Sequence, residues 1–240
     1  MKQEPWQQLG PIRVFNAVDT LVDRIRNGIL LGEIAAGSML PPERALSAQL
    51  GVSRNTVRGA LARLVSEGLV SIRQGRGAQV QDFRLIGGLG LLEKMPREMQ
   101  DAMLPGVLEL RMAIALELLT LVSERGSEAD LERLDALGKE IGRTKDPVEI
   151  ANLDVEFSRV LCRAAGNVAM ELILNSVSAL YVSRPDIPRI LFEDRDDVRD
   201  SYGLIVDVLR QRRVAEVSDV LRAGLKARDK LTLERLVSGV

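Results

Sequence analysis

Residues 41–77, PPERALSAQLGVSRNTVRGALARLVSEGLVSIRQGRG, restrict what this chain can fold into more than any other stretch. A helix is predicted to open at Pro42, because proline is tolerated in a first helical turn, and to bury Leu46 and Leu50. Gly51 supplies a sharp turn. Ser53 stands where an N-cap belongs, its hydroxyl able to accept an otherwise orphaned backbone N–H. The next helix sets Val57, Leu61 and Leu64 on one stripe, the spacing of a core-facing helix. Arg54 and Arg58, four apart, share another face near its N-terminus. Two short strands follow, Val70 and Ile72 alternating with polar residues as Ala78 and Val80 do, around the tip Arg73-Gln74-Gly75-Arg76-Gly77. This is the pattern of a winged helix-turn-helix, in which the start of the second helix enters the DNA major groove.

Two other readings compete. A Gly-Arg-Gly tip could be a nucleotide-cradling loop, but such loops run from strand to helix and this one joins strand to strand. Arg54 and Arg58 could be a solvated surface pair. The turn glycine, the serine cap, the matched stripes and the wing together weigh against that.

The rest of the chain is predicted to be helical. Residues 14–31 form a first helix with Val14, Val18, Leu21, Ile25 and Ile29 inward and Gly32 placed to cap it. Residues 83–106, with Gly87, Gly88, Gly90, Pro96, Pro105 and Gly106, read as a connector holding a short helical piece. Helices are then expected at 107–125, 127–143, 146–165, 167–184, 194–212 and 214–236, punctuated by Gly126, Pro147, Gly166, Pro185 and Pro188. The expected fold is mostly α: a winged helix-turn-helix domain (1–83), a linker (84–106) and an all-helical bundle (107–240) with its own core.

Composition narrows the function. Net charge is −1, but residues 1–83 carry 10 Lys+Arg against 7 Asp+Glu and residues 84–240 carry 23 against 27. That sign difference suits a DNA-binding head on an acidic body. There is no histidine, which removes Ser-His-Asp and Cys-His catalysis and every imidazole metal site. No carboxylate pair or nucleophile constellation stands out, so no enzyme is expected. Cys162 is the only cysteine and is read as a core residue. The start, Met-Lys-Gln-Glu-Pro, lacks a signal-peptide apolar region. The longest apolar run, Met112 to Val122, contains Glu117, so a cytoplasmic chain with no membrane partner is expected.

The stretch LPPERALSAQLGVSRNTVRGALARLVSEGLVSIRQGRG resembles the GntR family of bacterial transcription regulators. The resemblance implies that Arg44, Arg54 and Arg58 read bases or grip the backbone of a double-stranded operator. It also implies that Ser53, Asn55 and Thr56 bond phosphates, and that Gln74 and Gly75 enter the minor groove. The segments LELRMAIALELL and LDVEFSRVLCRAAGN resemble the FCD domain of the FadR subfamily, which acts as an effector and dimerisation domain. Many FCD domains hold a metal through an Asp-x3-His motif and further histidines. Here Asp154 matches the aspartate, Ser158 replaces the histidine, and Tyr202 and Gly224 fall where later histidines stand. No metal and no other cofactor are expected. Metal-less FCD members include fatty acyl-CoA-responsive regulators, and GGLGLLEKM after the wing is similar to fatty-acid-responsive members. The expected ligand site is Arg111, Asp154, Ser158, Tyr202 and Gly224, with Arg111 either bonding a carboxylate, thioester or phosphate or forming a structural ion pair with Asp154 or a glutamate. Acyl-CoA, a small carboxylic acid and no effector at all remain as alternatives, the last for a DNA-organising protein. A homodimer on a short palindromic operator is expected.

Overall fold

The computed structural model describes residues 17–73, 75 and 77–238. They divide into two compact units that meet in the sequence between Leu91 and Leu92. The first holds α1 (Ala17–Leu30), α2 (Glu43–Leu50), α3 (Arg54–Ser66), β1 (Val70–Arg73), β2 (Gly77–Val80) and the single turn α4 (Phe83–Ile86). Its core forms where the stripe Leu21, Val22, Ile25 and Ile29 of α1 meets Val57, Ala60, Leu61 and Leu64 of α3. Val14, expected on the same stripe, and the wing residues Gln74 and Arg76 lie outside the described residues. Arg26, buried at 8% exposure, forks onto both carboxylate oxygens of Glu67 at 2.9 and 2.8 Å and pins α1 to the end of α3. A paired, hydrogen-bonded charge is the form in which a buried arginine is tolerated.

The turn between α2 and α3 follows the residues closely. Gly51 sits in the left-handed region at φ 66°, and nothing lies within 4 Å of where a Cβ would stand. The demand there is conformational rather than steric. Gly51→Val should therefore destabilise this unit by about 1–2 kcal/mol or more, with Gly51→Asn milder because asparagine tolerates that region. Chemical denaturation checks it, and a valine variant as stable as the parent would contradict it. Ser53 caps α3 by accepting the Thr56 N–H at 3.1 Å.

β1 and β2 pair antiparallel, with Val70 opposite Val80 and Arg73 opposite Gly77. Residues 37–40 bond the outer edge of β2, Leu40 donating to the Ala78 carbonyl and Val80 to that of Ser38. Val70, Ala78 and Val80 are buried, whereas Ile72 is 56% exposed. The alternation places Ile72 on the Val70 side as expected, but the hairpin has left the core by that point.

The second unit comprises α5 (Arg97–Arg125), α6 (Glu128–Arg143), α7 (Pro147–Ala164), α8 (Val168–Ser183), α9 (Asp186–Leu191), α10 (Arg195–Arg210) and α11 (Val214–Ser238). Most boundaries lie within two residues of those predicted. The exception is α5, which starts at Arg97 rather than 107, with Pro105 and Gly106 inside it. Leu104, Val107, Leu108 and Met112 continue one buried stripe across the proline, and this burial outweighs the lost helical bond. The short α9 was also unforeseen. It contains Pro188, and its Ile187, Pro188 and Leu191 are buried. Arg184, almost fully buried, ties α9 to α5 through Asp186 and Asp101, both at 2.7 Å.

The core of this unit runs from Leu131, Leu134 and Ile141 of α6 to Val198, Val206 and Leu209 of α10, and Cys162 is buried within it. Gly138 and Gly142 let these two helices approach. A Cβ at Gly142 would lie 3.1 Å from Arg199 Cγ. Caps come from Asp146, Asn167 and Asp194, and from a capping box joining Ser127 and Asp130.

Candidate nucleic-acid interface and effector cavity

In the first unit, Arg44, Arg54, Asn55 and Arg58 are all exposed. The start of α2 lies beside the first turns of α3, because Arg58 bonds the Glu43 carboxylate at 3.1 Å. That contact brings Glu43 to the first turns of α3, where Arg54 and Arg58 stand, and cations at a helix N-terminus attract phosphate through both formal charge and the helix dipole. Arg44 and Arg54 have no carboxylate partner among the described residues. The Ser53 and Thr56 hydroxyls lie 2.8 Å apart and are engaged with each other in the cap. Gly75 is exposed at the wing tip with φ 78°.

In the second unit, five helices enclose a cavity of about 80 Å³. Its polar lining comes from Arg111 of α5, Asp154 and Ser158 of α7, Ser178 and Tyr181 of α8, Ser201 and Tyr202 of α10 and Arg228 of α11. Leu118, Leu119, Phe157, Leu161, Val177, Ile205 and Leu225 form the apolar wall. The Tyr202 hydroxyl donates to Asp154 Oδ1 at 2.5 Å, and its ring stands edge-on to Phe157 at 5.2 Å. Arg111 faces Asp154 at 3.6 Å and Asp229 at 4.0 Å, both longer than hydrogen bonds. Arg228 is held by Asp197 and by the Ser201 hydroxyl at 2.6 Å.

Two buried atoms beside Arg111 are left over. Among the described residues the Tyr181 hydroxyl and Asp229 Oδ1 have no hydrogen-bond partner, although the Tyr181 ring is partly exposed. Burial pushes the Tyr181 hydroxyl up to about 12 and raises that of Tyr202 well above its usual range, with Asp154 adding to it. Both phenols are therefore protonated donors at neutral pH. Burial also raises the Asp229 carboxyl, against the pull of Arg111 and Arg228. Unsatisfied buried polar groups are uncommon in native folds, and two of the four among the described residues stand beside Arg111.

A metal does not fit this donor set. Asp154 accepts from Tyr202 on one oxygen and faces a guanidinium with the other. Asp229 faces the same guanidinium and Ser158 offers only a neutral hydroxyl, whereas transition-metal sites need several converging ligands. Among the residues expected to bind an effector, Arg111, Asp154, Ser158 and Tyr202 do line one cavity. Gly224 does not: it is exposed on α11, and its neighbour Leu225 reaches the cavity instead. The ion pair read as the alternative for Arg111 is present, on Asp154, and Arg111 lines the cavity as well. Sequence reasoning missed Tyr181, Arg228 and Asp229. A signal was available for the first, since the chain has only two tyrosines and both face this space.

Comparison with known proteins agrees with both units. Residues 17–80 match the family of bacterial regulatory proteins described as gntR, and residues 106–227 match the FCD domain. The chain is similar to the HTH-type transcriptional regulator Mce2R of Mycobacterium tuberculosis, at 31% identity over 72% of this chain and 73% of that one. It is also similar to a fatty acid metabolism regulator protein of Edwardsiella ictaluri, at 33% identity over 78% of each. A solved structure of Lar, described as controlling the Listeria monocytogenes agr system, shares the fold with TM-score 0.55 at 21% identity, covering 95% of this chain and 100% of that one. No helix among the described residues is long and apolar enough to cross a membrane. The chain therefore belongs to the gntR family of bacterial regulatory proteins: it is a transcription regulator of the FadR type, not an enzyme, with a DNA-binding winged helix-turn-helix and a helical FCD effector domain.

Proposed function

We propose that this regulator binds a short palindromic operator as a homodimer and senses an acyl thioester of the acyl-CoA class in the cavity around Arg111. Operator contacts are assigned to Arg44, Ser53, Arg54, Asn55, Thr56, Arg58 and the wing tip at Gln74 and Gly75. The observation that carries the ligand assignment is the buried Tyr181 hydroxyl, a donor with no acceptor among the described residues, standing beside Arg111 and an apolar wall. Arg111 and Arg228, two cations, already face three carboxylates, Asp154, Asp229 and Asp197. A free carboxylate would add uncompensated negative charge to a buried site. A thioester carbonyl supplies an acceptor without a charge, and its acyl chain suits the leucine, valine and isoleucine side chains. The name of the Edwardsiella relative, a fatty acid metabolism regulator protein, supports the same class.

The free volume favours a second reading. At about 80 Å³ it is well below the roughly 300–1,000 Å³ of drug-sized sites, which suits a small acid or a short acyl chain. A longer chain requires the α8 wall to yield, and only Val177 and Leu180 of that helix are buried. A thermal-shift series separates these readings, comparing acyl-CoA of several chain lengths, free CoA, fatty acids, small hydroxy acids and zinc. A ligand at 100 times its Kd adds about 2.7 kcal/mol to stability, a rise of roughly 5–10 °C at this size. Acyl-CoA is expected to produce it. Stabilisation by zinc with a small acid, and none by acyl-CoA, would overturn the assignment.

A further inference from the structure

α8 is the most apolar of the long helices, and little of it is buried. Its sixteen residues include one charge, Glu171, which pairs with Arg163 of α7 at 3.6 Å. Only Val177 and Leu180 are buried. A helix with so little polar surface ordinarily has both sides covered. The inner side is accounted for, because Leu174, Val177, Ser178 and Tyr181 wall the cavity. The outer side is not. Val168, Leu172 and Val182 are 68%, 64% and 85% exposed, and Asn175 and Ala179 complete their row.

That row advances in steps of four, three, four and three residues, the repeat of a seam between paired helices. It is also symmetric about its middle, since Val168 and Val182 each stand seven residues from Asn175. An antiparallel copy related by an axis through Asn175 sets valine beside valine and amide beside amide, the self-complementarity that a two-fold contact demands. One asparagine in an apolar seam fixes its register, because two facing amides satisfy each other. A foreign partner would need no such symmetry. The size also suits a second copy. α8 is about 24 Å long, and with α7 alongside it presents a face on the order of 500 Å², near the ~600 Å² per partner of the smaller stable interfaces.

We propose that the outer face of α8 is the seam on which two copies of this chain pair, antiparallel about a two-fold axis at Asn175. One helix then carries the cavity wall on its inner side and the partner on its outer side. The inference deepens the homodimer reading above and rests on it.

Sedimentation velocity of the full chain over a concentration series measures the association. Leu172→Glu changes an exposed side chain, and circular dichroism confirms that the protomer stays folded. It should weaken dimerisation about a hundredfold or more, because the seam would bury an unpaired charge. A second variant requires a gain instead of a loss. Asn175→Cys meets its own copy at the axis, so oxidation of the two thiols by diamide should give a disulfide-linked dimer. The parent, whose Cys162 is buried, and Val220→Cys, 64% exposed on α11, should stay uncrosslinked. A dimeric parent whose Leu172→Glu form associates as tightly, or whose Asn175→Cys form crosslinks no faster than Val220→Cys, would overturn the seam and leave the homodimer standing. A parent that is monomeric at every concentration would overturn both and assign the face to a different protein.

Discussion

Replacing Arg111 by methionine should destabilise the helical unit by about 3–5 kcal/mol, because removing one partner of a buried ionic cluster leaves the others uncompensated. Asp154 would keep its bond from Tyr202, and Asp229 the field of Arg228, so the lower end of that range is expected. Differential scanning calorimetry on the full chain should show the melting temperature fall by roughly 6–12 °C. The double variant Arg111→Met, Asp154→Leu should recover much of the loss, since replacing an entire buried pair by apolar residues is often near neutral. Both variants should lose thioester binding. An Arg111→Met protein that melts like the parent would show that the cluster does not depend on this cation.

The second large effect concerns DNA. Arg54→Ala is expected to weaken binding to the selected operator by about 1–3 kcal/mol, roughly 5- to 150-fold, and to relax discrimination at the base it contacts. Arg58→Ala should cost less, because Arg58 must first release Glu43, an exposed pair worth about 0–1 kcal/mol. Fluorescence anisotropy against the operator and a scrambled duplex, at two salt concentrations, measures affinity, specificity and phosphate contribution together. Wild-type affinity in Arg54→Ala would remove α3 from the recognition role. Equal affinity of the parent for both duplexes would favour a DNA-organising protein instead.

The first unit was legible in the sequence because its determinants are local. A left-handed glycine, a serine three residues before its partner N–H and a stripe repeating every three to four residues all act within one or two turns. The helices of the second unit were legible for the same reason, and Pro105 shows the limit. Local propensity reads it as a break, whereas Leu104, Val107 and Leu108 bury a continuous face that a single residue cannot interrupt. The cavity was only partly legible. Arg111, Asp154 and Tyr202 could be matched to family positions, but Tyr181 and Asp229 enter through packing of α8 and α11 against partners distant in sequence. Helical spacing assigns a residue to a face, not to the neighbour that face will meet. Arg26 and Glu67, 41 residues apart, went unforeseen for the same reason.

A regulator that senses a ligand in the helical cavity must couple that cavity to the DNA-reading head. Coupling between two binding sites is reciprocal, so one factor must describe both directions. The decisive measurement is operator affinity with and without saturating acyl-CoA, paired with acyl-CoA affinity with and without saturating operator. Each ligand is expected to shift the other's Kd by the same factor, about fivefold or more. Tight binding of both ligands with no mutual effect would contradict it.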